Sequence, residues 1–383
     1  MSKYNFDLLA KRKHTNCVKY DEFNSSLPMW VADMDFLMAP KIKEAIQKDL
    51  DIAAIGYSLI PDAFFDAFVN LYHKRYETNF KREEMVYVSG VVASIDSMIK
   101  LLSKEGDNIV MLSPIYHTFY HCVSNYKRVA LVSEMKLEDK SYSIDWDDLE
   151  RKLSNPESSI MILCNPHNPV GKIFSKEELE RIDQLATKHN VLVISDEIHG
   201  LIANPGKKYI PYGNVAKGKF VTCLATSKAF NLAGLQSAVV VCKDKDLRDK
   251  LQAAFYADDI GEPNYFAVNA NISALRDSED WLDEMNEYVY RNKLAFAEYL
   301  SKNAPGVNSF VTDATYMVWV DVRQYTTDSR SFVKELNDKT GLLVCPGVQF
   351  GDGGEGFLRI NLATSLENVL DAAKRLETFI KGL

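Results

Sequence analysis

The chain has 383 residues, 46% hydrophobic and 26% charged, with a formal net charge of −8 at neutral pH. That length can bury a large core and suits one large domain with a smaller one beside it. The acidic balance argues against nucleic acid as the main partner, because phosphate backbones call for a basic surface, and no run of about 18 apolar residues offers a membrane span.

The opening residues, Met1-Ser2-Lys3-Tyr4-Asn5-Phe6-Asp7, carry no apolar stretch of the secretory kind, so the expected address is the cytoplasm. Residues 1–47 read as a lead-in loop with a helix around Lys41–Leu50. From there strands alternate with helices. The strand candidates are Met85–Ser89, Asn108–Ser113, Val129–Ser133, Ile160–Cys164, Val191–Ser195, Val221–Ala225 and Ala238–Cys242. Most are continuous runs of Val, Ile and Leu, the pattern of strands buried on both faces. A helix over Ala93–Ser103 follows the first. Another, over Ser175–His189, opens with a capping-box pattern, Ser175-Lys176-Glu177-Glu178. Beyond residue 280 a long helical stretch, Trp281–Asn303, leads to alternating strands at Tyr316–Val320 and Gly356–Asn361. The expected fold is α/β: a large part, 48–280, with a mostly parallel seven-stranded sheet covered by helices, and a smaller α+β part from 1–47 and 281–383. The six cysteines are scattered without a CxxC pair, so neither a disulfide framework nor a metal site is expected.

Ligands of such sheets bind at the carboxyl ends of the strands. Three polar motifs stand at such ends: Asn168-Pro169-Val170-Gly171, Asp196-Glu197-Ile198-His199 and Ser227-Lys228-Ala229-Phe230-Asn231. A lysine amine attacks an aldehyde only when it is partly deprotonated and held still, and Lys228 has such a setting. Asp196 emerges from a wholly apolar strand, where a buried carboxylate calls for a cation such as a protonated pyridine nitrogen. The Asn168 amide can donate to a ring hydroxyl. Ser89-Gly90-Val91-Val92 opens a helix whose free amides suit a phosphate, and Tyr116 can stack on a planar group. Together these are the parts that hold pyridoxal phosphate (PLP) and use it as an electron sink.

Two lookalikes are set aside. Gly351-Asp352-Gly353-Gly354-Glu355-Gly356 matches a dinucleotide fingerprint in letters but precedes a strand and carries two acids, so it reads as a turn. His117 and His121 have helical spacing without the glutamate of a zincin, and both read as exposed helix residues.

With those residues in view, the sequence resembles the fold type I PLP enzymes of the class I/II aminotransferase superfamily, and within it the cystathionine β-lyase branch, the C–S lyases of MalY/PatB type. The stretches that carry the resemblance are Pro28–Phe36, Cys164–Gly171, Ser195–His199 and Ser227–Gln236. It implies that Lys228 bonds the cofactor, Asp196 holds its ring nitrogen and Asn168 its ring oxygen, with Tyr116 stacked on the ring and His199 beside it. It also implies that Ser227 and the amides of Val91 and Val92 hold the phosphate. Tyr57 would reach the phosphate across a homodimer interface, and Ala32, Tyr57 and Arg359 would bind the substrate, Arg359 through its α-carboxylate. Many aminotransferases carry tyrosine where His199 stands and arginine where Gln236 stands. The histidine favours elimination of a β-thiolate from a sulfur amino acid, and the glutamine leaves the phosphate contacts open. An aminotransferase is the alternative, and a regulatory protein that retains a PLP site is another.

Overall fold

A computed structural model describes residues 3–383. Seven strands form one sheet in the spatial order Met85–Val88, Ala238–Val241, Phe220–Leu224, Leu192–Asp196, Ser158–Cys164, Asn108–Ser113, Val129–Glu134. All neighbours pair in parallel except Ala238–Val241, which is antiparallel to both of its partners. Alternate side chains leave on opposite faces, and both faces are covered. Ile109, Met111, Ile162 and Ile194 pack against the helices Val91–Leu102 and Thr118–Asn125. Val110, Leu112, Met161 and Val193 pack on the other side, against the helix Lys176–Lys188 among others. Each fully buried side chain of this size contributes about 1.5–3 kcal/mol. The sheet is therefore a rigid floor, and polar residues at its strand ends inherit fixed positions.

The helix starts follow local chemistry. Ser175 caps Lys176–Lys188, accepting from the Glu178 N–H while Glu178 reaches back to the Ser175 N–H. Helix Val91–Leu102 begins after Gly90 with no side chain capping it, which leaves its first amides open toward the sheet edge.

A second sheet is antiparallel, in the order Asn308–Phe310, Met317–Asp321, Phe357–Asn361, Cys345–Pro346. Its outer face packs on the helices Glu279–Asn303, Ser329–Thr340 and Leu366–Lys381 through Phe296, Leu336, Leu376 and neighbours. The Gly351–Gly356 segment is a turn with a short 3₁₀ piece, Asp352–Gly354, that feeds the strand Phe357–Asn361.

The sequence reading did not anticipate how the N-terminal segment is anchored. Leu27–Pro28 pair in parallel with Leu342–Leu343, and the chain then runs along the second sheet toward the first. Two asparagine amides hold it there. Asn361 donates to the carbonyls of Val31 and Asp33, and Asn231 both accepts from the Met34 N–H and donates to the Met34 carbonyl. Behind them Lys19, itself buried, pairs with buried Asp35 at 2.8 Å.

Candidate active site

A cavity of about 440 Å³ opens at the carboxyl ends of the seven-stranded sheet. Its walls bring together Ala32, Gly90, Val91, Val92, Tyr116, Asn168, Asp196, His199, Ser227 and Lys228, residues as far apart in sequence as 32 and 228. A second cavity of about 600 Å³ shares Ala32, Tyr116 and Lys228 with it and adds Arg359, Trp30 and His117. The Tyr57 side chain is fully exposed and lines neither.

Lys228 follows the strand Phe220–Leu224 and donates from Nζ to the Ala32 carbonyl at 2.9 Å. Burial pulls its pKa down to about 8, reinforced by the Arg359 charge and opposed by Asp33 and Asp196. About a tenth of the amine is thus unprotonated at pH 7, far more than for an ordinary lysine. Asp196, on the adjoining strand, is buried, and one carboxylate oxygen accepts from the Ile198 N–H at 3.0 Å. Burial raises it to about 6, partly offset by that N–H and by the Lys228 charge. Among the described residues it has no ion pair, so the carboxylate is left for a cation supplied from the cavity.

Arg359 lies in the strand Phe357–Asn361 and is almost wholly buried. It donates from Nη1 to the Asn168 Oδ1 at 3.3 Å, and from Nη2 to the Trp30 carbonyl at 3.0 Å and the Cys345 Sγ at 3.3 Å. Its Nε has no partner, and among the described residues no carboxylate pairs with it. A buried guanidinium without an anion is costly, and its planar fork matches a carboxylate. The Asn168 amide nitrogen takes no part in that contact and remains for another acceptor. His199 is buried and held neutral, its pKa pulled to about 3 by burial and by the Lys228 and Arg359 charges, and its Nδ1 has no partner.

These observations fit PLP: an amine for the aldehyde, an unpaired carboxylate for the ring nitrogen, and open helix amides at Val91 and Val92 for the phosphate. Ser237, with a buried hydroxyl, stands at the same end beside Ser227 and Gln236.

Sequence reasoning passed over several residues here. Tyr316 donates to the same Ala32 carbonyl as Lys228, at 2.9 Å, and its ring meets His199 edge-on at 6.2 Å. Asn231 and Cys345 act through backbone or arginine contacts that no short motif announces, although Asn231 lies within the quoted lysine motif. Glu197, buried, collects bonds from Ser195, Tyr209 and the Tyr212 N–H, which fixes the turn between Asp196 and His199. One expectation needs correction. His121 is exposed, but His117 is half-buried in the wall of the outer cavity because the helix Thr118–Asn125 starts over the cavity and turns its first residues inward.

A lysine in the turn after one strand, a carboxylate ending the next, and a helix start with uncapped amides are the parts of an enzyme that works through an aldehyde cofactor. Residues 29–376 match the model of the aminotransferase class I and II family, and the chain belongs to that family. It is 35% identical over 382 residues to cystathionine β-lyase PatB of Bacillus subtilis, covering 97% of this chain and 99% of that one. Among solved structures, a PLP-bound putative aminotransferase from Clostridium difficile superposes with a TM-score of 0.95 at 34% identity, covering 98% of this chain and 100% of that one. A PLP-bound C–S lyase from Staphylococcus hominis gives 0.93 at 29% identity, covering 98% of each chain.

Proposed function

We propose that this protein is a PLP-dependent C–S lyase that cleaves the β-carbon–sulfur bond of cystathionine or related cysteine S-conjugates, giving pyruvate, ammonia and a thiol. The observation that carries the reading is the Lys228 amine set between Asp196 and Arg359 at the junction of two cavities. When bound, PLP supplies an aldehyde for the substrate amine and a protonated ring that draws electrons from the α-carbon. Lys228 would hold the aldehyde until the substrate amine displaces it, which frees Nζ, and Asp196 would hold the ring nitrogen. Asn168 and His199 would hold the ring edge, Tyr116 would stack on the ring, and Ser227 with the Val91 and Val92 amides would hold the phosphate; all of them line the same cavity. Arg359 fixes the α-carboxylate near Ala32, so the α-hydrogen lies within reach of Lys228 Nζ, which removes it as general base. Elimination rather than amino transfer is supported by the names of the relatives and by His199.

The same reading divides the chain into a cofactor-holding part, 48–280, and a smaller part, 1–47 with 281–383. It also takes the protein as a homodimer. Ile55, Tyr57 and Leu59 form an exposed strip, 66%, 100% and 91% accessible, whose apolar surface suits a second copy, with Tyr57 reaching the neighbouring phosphate. Sedimentation should give the mass of two chains, and a monomer at micromolar concentration overturns this part. Among the described residues no helix is long and apolar enough to cross a membrane, which agrees with a cytoplasmic enzyme acting on small amino acids.

The central test is incubation of the PLP-saturated protein with cystathionine. Release of pyruvate and thiol is expected, with loss of at least about a thousandfold in Lys228→Ala together with its visible absorbance band. Glutamate formed from 2-oxoglutarate without pyruvate would overturn the lyase reading in favour of transfer.

A further inference from the structure

The outer cavity holds a polar group that the reading above leaves without a task. With the α-carboxylate on Arg359 and the inner cavity filled by the cofactor, the outer cavity is the space left for whatever the β-carbon carries. His117 stands in its wall. The His117 ring meets Phe350 edge-on at 5.7 Å, the Arg359 guanidinium lies 4.7 Å from the centre of the Phe350 ring, and His117 and Arg359 both line this cavity.

Its protonation can be read from its surroundings. Nδ1 is shielded from solvent and has no hydrogen-bond partner. A buried N–H without an acceptor costs more than an unused lone pair, so the ring proton belongs on Nε2, the one ring nitrogen that can be presented to the cavity. Burial, the Arg359 charge and His121 hold the imidazole neutral, with a pKa near 4. The ring is therefore a single fixed N–H donor.

We propose that His117 is a further catalytic residue, presenting its Nε2–H to the sulfur as it leaves the β-carbon. This rests on the C–S lyase reading. In the step, Lys228 Nζ takes the α-proton, the electron pair of that C–H bond forms the α,β double bond, and the β-carbon–sulfur bond breaks with its pair passing to sulfur. The thiolate charge develops beside the imidazole N–H, which stabilises it without giving up its proton. The thiolate takes a proton from water, and His117 ends the step as it began.

A donor that meets developing charge matters most when the leaving group holds that charge poorly. The test is a series of S-substituted cysteines whose thiols run from alkyl to nitrophenyl, assayed by pyruvate release with wild type, His117→Phe, His117→Met and His117→Gln. In the donor-less variants kcat/KM should fall about ten- to a hundredfold for alkyl thiols and little for nitrophenyl thiol, steepening the dependence on thiol acidity. Gln, which keeps an N–H, should recover most of the alkyl rate. Whichever of Phe and Met keeps the wild-type PLP absorbance is the one read. An equal loss along the series, an unchanged series, or no recovery with Gln overturns the proposal. Wild-type enzyme that releases no pyruvate from any member is a different result, and overturns the lyase reading itself.

Discussion

Asp196 ends one strand and Lys228 lies in the turn just beyond its neighbour, and burial pushes their protonation in opposite directions: the amine down to about 8, the carboxylate up to about 6. Each charge moderates the other's shift, so the pair is kept from neutralising itself entirely. Only the free amine attacks the cofactor aldehyde. On mixing cofactor-free protein with PLP, the visible band should therefore grow about tenfold faster per pH unit up to roughly pH 8, then level off. An ordinary lysine would go on accelerating to about pH 10.4, and that behaviour would show that burial does not tune Lys228. Asp196, Asn168 and Lys228 were legible because each is a polar residue at or within a few positions of the end of an apolar strand run. Tyr316, Asn231, Asn361 and Cys345 were not. Their partners are backbone groups of Trp30, Val31, Ala32, Asp33 and Met34, hundreds of residues away in most cases, and no local pattern encodes such a contact.

At the scale of elements, the strands were the most readable feature. Asn108–Ser113 has the bounds given by its apolar run, four others differ by a residue or two at one end, and Leu192–Asp196 and Phe220–Leu224 are shifted by one residue, because continuous Val/Ile/Leu runs between breakers leave little choice. The capping box at Ser175 set its helix start equally well. Loops were harder, as Gly171 illustrates. Its φ of +62° is the left-handed conformation, and a Cβ there would stand 2.4 Å from the Thr312 Cβ and 2.8 Å from the Ala314 carbonyl. The Gly171 carbonyl in turn accepts from the Ala314 N–H at 2.9 Å. The glycine therefore serves close contact between the Asn168 loop and the 312–316 segment as well as the turn itself. Sequence shows the turn but not the neighbour. The same gap misplaced His117, since a helix drawn from spacing alone does not say which end overhangs a cavity.

On the scale of the whole molecule, Lys293 joins parts that the two sheets leave separate. It is fully buried on the long helix Glu279–Asn303, and Nζ donates to Asn204 Oδ1 at 2.9 Å, Ala314 O at 3.1 Å and Thr312 Oγ1 at 3.2 Å. Asn204 follows the His199 turn, while the 312–316 segment carries Tyr316 and touches Gly171, so one ammonium ties together both loops that approach the cavity. Among the described residues no carboxylate pairs with it. Asp313, whose charge acts on it, is engaged by Lys207. Burial lowers the Lys293 pKa to about 7, with Asp313 pulling weakly the other way. In the unfolded chain a lysine keeps its proton up to about pH 10.4. Between those values the unfolded state binds a proton that the folded state has released, so stability rises with pH across the window, by up to about 1.4 kcal/mol per unit. Below pH 7 both states are protonated and the full cost of burying the charge is felt. Lys293→Met removes this term while leaving the acceptors unpaired. Urea midpoints measured at pH 7, 8 and 9 should therefore climb less steeply in the variant than in wild type. The variant's deficit should be smallest at pH 7, where the wild-type ammonium is still half charged, and should widen toward pH 9. Parallel pH dependences in the two proteins would mean that the three acceptors hold Lys293 protonated throughout, and that the hub gains its strength from charge-assisted bonds rather than from a neutral amine.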